Sequence, residues 1–247
     1  MTEETREPVA AGRTLTCRPA AGGEGIAEAL ARASAGDSVV LSPGVYESMI
    51  TLVVPSGVTM RGDGEAILRY GADGPAVAVI GSRDVTLTGF TVVCTAERIR
   101  RRVLPEDPPL AEPVPEGDTR VSEWGLVWAR DASAVRFDRL RIEGRPEHAF
   151  LRGLVLLGTR GSRVSDCVVE KFGGSAVSLI SSKDVVVESC DLAFSQNGLS
   201  LIRSHATIDA PSTAVIRTNR CHNNNGAGII LFSSESADLA ENECWEN

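Results

Sequence analysis

Aromatic side chains are scarce in this chain. Phe, Trp and Tyr make up only 4% of its 247 residues, although 43% of the residues are hydrophobic. Val, Leu and Gly are abundant instead, which favours thin, closely stacked β layers over a globular core built around aromatic rings. Long apolar runs are also lacking, and no stretch is apolar over a length that would span a membrane.

Targeting and metal-binding patterns are missing as well. Residues Met1–Arg13 are polar and contain no apolar segment of the kind found in signal peptides. The six cysteines show neither CxxC spacing nor a Cys/His ligand pattern, so reduced thiols, no metal and no cofactor are expected. These features together predict a cytoplasmic protein. A formal net charge of -8 argues against nucleic acid as a partner, and no membrane partner is expected.

A repeat is what the chain does contain. Cys167, Cys190, Cys221 and Cys244 each end an apolar-alternating stretch, at spacings of 23, 31 and 23 residues. A fixed period in this range is typical of a repeating supersecondary unit. The longer middle gap is assigned to a polar insert at His205–Ser212. We predict that the four cysteines stack as one column of small hydrophobic side chains, without disulfides, in a coil of parallel strands.

A strand column precedes the cysteines in each repeat. Side chains alternate across a strand, so one set is predicted to point inward and the other outward. The predicted inward set is Leu126, Trp128, Leu154, Leu156, Val177, Leu179, Leu199, Leu201, Ile229 and Leu231. The predicted outward set is Val127, Val155, Ser178, Ser200 and Ile230. About seven coils are expected, each adding roughly 4.8 Å along the axis.

The N-terminal region predicts a cap for this coil. Residues 1–13 are expected to be a flexible lead, and Gly25–Ala35 has helical spacing with Ile26 and Leu30 on one face. Such a helix would cover the open first coil. Ser38–Leu41 is predicted to be a strand.

Inserts and the chain end complete the predicted organisation. A Pro-rich stretch at 95–123 and a shorter one at Gly144–Arg152 are expected to be loops off a single domain spanning 14–247. The sequence stops at Asn247, part-way through a coil. A fragment of a longer chain is the favoured interpretation, and self-association through the open end is the other.

The sequence also resembles a known superfamily. The run IAEALARASAGDSVVLSPGVYES (Ile26–Ser48) is similar to the opening of right-handed parallel β-helix proteins of the pectate-lyase-like superfamily, and Asn219 with Asn242 resembles their asparagine ladder. The resemblance covers roughly 14–247. It implies an all-β right-handed parallel β-helix, or solenoid, with a short N-terminal capping α-helix. That superfamily contains lyases, hydrolases, esterases, epimerases, tailspikes and non-catalytic modules, so the resemblance leaves function open.

Arginines supply the candidate binding residues. Aligned on the cysteines, Arg136, Arg163 and Arg217 form one row, and Arg139 and Arg220 form another. Guanidinium groups in a row would bind an extended anionic ligand, a glycan or a protein. The alternative is that they pair with Asp138, Asp166 and Glu188. A second patch is expected at Arg130 and Arg203, and Trp124 is expected to stack on a sugar ring.

Two functions therefore remain open from the residues. The first is a non-catalytic recognition or scaffold module that binds along an outward face, because the predicted outward positions carry no titratable group. The alternative is a carbohydrate-active enzyme, a polysaccharide lyase or C5-epimerase, with a loop-built site. Its catalytic candidates are Arg145, Glu147, His148 and Arg152, which crowd into one insert.

Overall fold

The fold is an all-β right-handed parallel β-helix of about eight turns with one short helix near its N-terminus, as predicted. The computed structural model describes residues 12–97, 124–148, 151–202, 213–232 and 236–247. Every strand pairing among these residues is parallel. The predicted long loop falls mostly outside the described residues, as do residues 1–11 and the insert around His205–Ser212.

The described elements follow one another closely along the chain. A 3₁₀ turn at Pro19–Ala21 leads into helix α1 (Gly22–Arg32). The strands are β1 (Thr14–Cys17), β2 (Ser38–Leu41), β3 (Gly44–Ser48), β4 (Leu52–Val53), β5 (Thr59–Gly62), β6 (Ala66–Tyr70), β7 (Val77–Ile80), β8 (Thr86–Thr88), β9 (Thr91–Cys94), β10 (Val127–Arg130), β11 (Arg136–Asp138), β12 (Arg141–Glu143), β13 (Leu154–Leu157), β14 (Arg163–Ser165), β15 (Val168–Glu170), β16 (Ser175–Ile180), β17 (Val185–Glu188), β18 (Asp191–Ala193), β19 (Asn197–Ile202), β20 (Thr213–Arg217), β21 (Arg220–His222), β22 (Ile229–Phe232), β23 (Ser236–Ala240) and β24 (Glu243–Trp245).

Three sheets result from stacking these strands. The first sheet holds β1, β2, β5, β8, β11, β14, β17, β20 and β23; the second holds β3, β6, β9, β12, β15, β18, β21 and β24; the third holds β4, β7, β10, β13, β16, β19 and β22. The chain visits the first, second and third sheets in turn in each coil. The predicted count of about seven coils is slightly low, because the early cysteines, Cys17 and Cys94, do not continue the 23-residue spacing that marks the later coils.

The predicted cap is present, shifted toward the N-terminus. The helix begins at Gly22, where the sequence predicted Gly25, because the 3₁₀ turn leads directly into it. Ile26 and Leu30 are buried against the first coil, as predicted. Asp37 closes this end by accepting hydrogen bonds from the Arg13 guanidinium (2.6 Å) and from the backbone N–H groups of Ser34 and Arg13. These bonds hold the pKa of Asp37 well below its ordinary value, and the bond from the Arg13 side chain has the largest effect.

The predicted single column of cysteines is wrong. Cys167 and Cys190 lie at the turn that leaves the first sheet, but Cys221 lies in β21 beside Leu192, with Cys244 next to it. The residue level with Cys190 is Asn219, whose side chain accepts a hydrogen bond from the Cys190 N–H at 3.0 Å. That coil is 29 residues long (219 minus 190), so the spacing of 31 conceals a two-residue offset. A cysteine and an asparagine side chain both fit this interior position, and the backbone hydrogen bonds between coils decide which of the two occupies it.

The predicted register of the third sheet is wrong by one residue in β10. Val127, not Leu126, lies beside Leu154, so Trp128 belongs to the outward column of Val155, Ser178 and Ser200, and Val127 points inward. The two Gly-Leu-Val runs look equivalent in sequence, but the Val127 N–H donates to the Gly153 oxygen. The four outward residues of that column are nevertheless at most 2% exposed, so this stretch of the third sheet offers no open face.

Candidate functional site

The turn between the third and first sheets displays cations in register. Bridges join Arg83 to Ser133, Ser133 to Arg160, and Arg160 to Lys183 in four successive coils. The residue before each of these is buried inside the turn: Ser82, Ala132, Thr159 and Ser182. The Thr159 N–H donates to the Ser182 hydroxyl at 3.0 Å, and that hydroxyl donates to the Leu156 carbonyl. Because the residue before it is held inside the turn, the next residue in each coil places its side chain on the surface.

Two arginines of the first sheet extend this row. Arg136 and Arg163 occupy the first outward positions of β11 and β14 and are neighbours in register. Together with Arg83, Arg160 and Lys183 they form what we call the basic strip. Each of four successive coils contributes at least one cation, so the strip runs about 14 Å along the axis at roughly 4.8 Å a coil.

Most of these cations are unneutralised. Within the described ranges, Arg83, Arg136, Arg160 and Lys183 form no ion pair, and only Arg163 does, with Glu188. Two exposed carboxylates, Asp84 and Asp184, follow in the turn but form no ion pair with the strip. The chain has a net charge of -8, so its overall charge gives no indication of this local excess of positive charge. The excess arises from where the coils place the cations.

The predicted rows of arginines are wrong in their details. Arg217 lies beside Glu188, two residues along from the column of Arg136 and Arg163. Glu188 is 8% exposed and accepts hydrogen bonds from both Arg163 and Arg217, the latter at 2.7 Å. The row of Arg136, Arg163 and Arg217 therefore does not form, and pairing with Glu188 prevails for two of its members.

The second predicted row is broken in the same way. Arg139 lies in the turn after β11, whereas Arg220 lies on the second sheet and faces Asp191 at 3.6 Å. Arg139 donates to Asp138 at 2.8 Å. Burial would raise the pKa of Asp138, but hydrogen bonds from Arg139, Thr88 and Ser165 outweigh that effect and lower it.

The predicted sugar platform at Trp124 does not form, and the predicted patch at Arg130 and Arg203 stays a prediction. Arg130 shares its column with Leu157 and Ile202, and its side chain contacts Asp131 at 3.2 Å. Arg203 lies outside the described residues. Trp124 is only 3% exposed and packs in the core, so its ring faces cannot take a sugar.

The predicted acid–base cluster comes together only in part. Arg145 donates to Glu147 at 2.7 Å, and Arg145 Nη1 and His148 Nε2 both contact the Ala96 carbonyl, at 3.2 and 2.9 Å. The backbone N–H of Glu147 and the Arg145 side chain lower the pKa of Glu147, which makes it a poor proton donor at neutral pH. Arg152 is 4% exposed and offers no surface group. The contacts of Arg145 and His148 hold the insert against the end of the second sheet.

A cluster on the second sheet was missed. His222 Nε2 lies 2.8 Å from Asp191 Oδ1, and its Nδ1 lies 2.8 Å from Asn223 Oδ1. The His222 ring stacks on Trp245 with centroids 4.5 Å apart. It lies T-shaped to the Phe194 ring, with centroids 5.9 Å apart. Both ring nitrogens of His222 are engaged, so neither is available to a substrate. The 23-residue spacing of His222 and Trp245 was the available signal in the sequence.

Two further features concern metals and membranes. Within the described part of the chain, no three His, Cys, Asp or Glu side chains gather closely enough to hold a metal ion. The one α-helix of these residues, 11 residues long, is too short to cross a bilayer.

Comparisons with known proteins agree with this fold. Residues 152–247 match the family model described as right handed beta helix region. No curated protein matches the chain. Among solved structures, the ORF18 protein of Geobacillus virus E2 aligns at a TM-score of 0.67 and 11% identity, covering 94% of this chain and 49% of its own.

Two pectin-active enzymes align as well. The family 28 exopolygalacturonase of Yersinia enterocolitica aligns at a TM-score of 0.64 and 13% identity, covering 94% of this chain and 54% of its own. The pectate lyase Pel9A aligns at 0.52 and 13%, covering 94% and 71%. The chain thus spans about half the length of the viral protein and of the exopolygalacturonase. At these identities the likeness concerns the fold alone.

Proposed function

We propose that this right-handed parallel β-helix is a non-catalytic recognition module that binds an extended anionic glycan along the basic strip. The observation that carries the proposal is the register of the strip, in which four successive coils each present a cation. Four of the five cations have no ion pair within the part of the chain that the structure describes. The guanidinium and ammonium groups form a rigid row, so a ligand must be extended to contact all of them. A linear polyanion can do so by contacting each coil in turn.

The expected affinity is modest and depends on salt. An exposed ion pair contributes about 0–1 kcal/mol, so new contacts to the four cations other than Arg163, which pairs with Glu188, give a few kcal/mol in sum. The strip is fixed by strand pairing and by the buried hydroxyls below it, so little ordering of the backbone opposes binding. Because the contacts are exposed, raising the ionic strength from 20 to 200 mM should weaken them strongly.

The chemistry of the described residues favours recognition over turnover. His222 has both ring nitrogens engaged, and Glu147 is held as a carboxylate by its neighbours. The exopolygalacturonase and the pectate lyase have the same fold, so a polysaccharide lyase or C5-epimerase remains the competing function. It is tested in the same samples.

The experiment is isothermal titration with decagalacturonate, using a triple charge reversal of the strip, Arg83→Glu, Arg160→Glu and Lys183→Glu. A matched control reverses three exposed arginines elsewhere, Arg18, Arg32 and Arg69. Each triple variant changes the net charge by -6, from -8 to -14. We expect at least a tenfold loss of affinity, about 1.4 kcal/mol, in the strip variant and less than a twofold change in the control.

Other outcomes would contradict the proposal. An equal loss in both variants would mean that overall charge, not the strip, attracts the ligand. Stronger binding of polyglutamate than of decagalacturonate would point to an acidic polypeptide partner. New unsaturated ends or inverted C5 centres in the incubated glycan would establish an enzyme.

A further inference from the structure

A large apolar side chain occupies an unfavourable backbone position at the edge between the second and third sheets. Phe194 has φ of 51° in the turn after β18, and its side chain is 50% exposed. The same turn in neighbouring coils carries Lys171, Asn223 and Glu246, also at positive φ. Among the described residues with positive φ, Phe194 is the only large apolar one.

This position is not explained by stability. The left-handed region is disfavoured for any residue with a Cβ, and asparagine or glycine tolerates it better than phenylalanine does. A ring that remains half exposed recovers only part of its hydrophobic burial. An outlier that the fold does not require points to a role at the surface.

Polar groups are held rigidly beside the ring. His222 contacts both Phe194, whose ring centroid is 5.9 Å away, and Asp191, to which it is hydrogen-bonded. Arg220 faces Asp191 at 3.6 Å and lies 5.6 Å from the centre of the Trp245 ring. The side chain of Arg220 is 58% exposed and that of Asp191 is 32% exposed, so both reach solvent. Asp191 and Phe194 are three residues apart, which places them within about 10 Å of each other.

We propose that Phe194, Asp191 and Arg220 form a subsite for a neutral pyranose ring. The apolar face of such a sugar would stack on Phe194, and its hydroxyls would donate to Asp191 and accept from Arg220. A neutral sugar is favoured because Asp191 and Arg220 compensate each other. This subsite lies on the opposite edge of the third sheet from the basic strip and does not depend on the proposed function.

The test uses neutral hexasaccharides of β-1,4-glucan, β-1,4-mannan, β-1,4-xylan and α-1,4-glucan, with binding followed by saturation-transfer NMR and titration. The key variant is Phe194→Asn, and the matched control is Phe232→Asn, which changes a ring that is 59% exposed in strand β22. We expect at least one hexasaccharide to bind the wild type equally well at 20 and 200 mM salt. Phe194→Asn should lower this affinity at least tenfold and raise the Tm, whereas Phe232→Asn should do neither.

Three results would overturn the inference. They are no binding by any of the four hexasaccharides, binding that survives in Phe194→Asn, or a Tm that does not rise in that variant. An Arg220→Gln variant should lose affinity without gaining thermal stability. The triple reversal of the basic strip should leave neutral-sugar binding intact, so the two sites fail or succeed separately.

Discussion

The asparagine ladder allows a quantitative prediction. Asn219 is 0% exposed; its Oδ1 accepts from the Cys190 N–H at 3.0 Å, and its Nδ2 donates to the Val187 carbonyl at 3.0 Å and to Asn242 Oδ1 at 2.9 Å. Asn219→Ala removes these bonds and leaves a buried donor and a buried acceptor without their partner. Each such group costs about 1–3 kcal/mol, so the free energy of unfolding should fall by about 4 kcal/mol.

The measurement is urea denaturation followed by circular dichroism, combined with hydrogen exchange at the Cys190 amide. The matched control is Asn225→Ala, because Asn225 is exposed in the next turn of the same coil and its substitution should change stability by less than about 0.5 kcal/mol. In Asn219→Ala the Cys190 amide should lose its protection from exchange.

A small loss of stability in Asn219→Ala would contradict this role of the ladder. If Asn219→Ala cost less than about 1 kcal/mol, the two buried groups that lost their partner would have to find others, and the ladder would not stabilise the turn. A Cys190 amide that stayed protected in the variant would lead to the same conclusion.

Two further predictions concern the cap and the core. Folding lowers the pKa of Asp37, so the stability that this carboxylate contributes is present above its unfolded pKa of about 3.9 and is lost as the pH falls toward the lower folded pKa. Asp37→Asn should therefore lower the Tm at pH 7 and make the Tm decline less steeply in acid. An unchanged pH profile of the Tm would contradict this. Gly153→Ala would place a Cβ 2.4 Å from the Ala176 oxygen and should lower the free energy of unfolding by about 3 kcal/mol. The control Gly161→Ala should lower it by about 1 kcal/mol, because its Cβ meets nothing within 4 Å although φ is 62°. Equal losses of stability in urea denaturation would count against the clash at Gly153.

Several elements could be predicted because they depend on local pattern. The strand at Ser38–Leu41, the helical face of Ile26 and Leu30, and the pairing of Asn219 with Asn242 are all present as expected. Each depends on the strand or helix period, or on one repeat of 23 residues, so no knowledge of the inserts is needed.

The candidate site could be predicted less well, because it depends on how coils align with one another. Arg136 and Arg163 were correctly placed side by side, but Arg217 was not, since the coil between Cys190 and Asn219 is 29 residues long. Arg83, Arg160 and Lys183 were missed because their turn has no apolar alternation to mark it.

The class of fold follows from local features of the sequence: the repeat period, the scarcity of aromatic residues and the amphipathic opening helix all point to a stacked coil. Which charges become neighbours depends instead on how the coils align in the folded chain. In a β-helix, residues far apart in sequence are brought about 4.8 Å apart by backbone hydrogen bonds between coils. Those bonds set the register that divides the cysteines, pairs Arg217 with Glu188, and leaves every cation of the basic strip except Arg163 without an ion pair among the described residues.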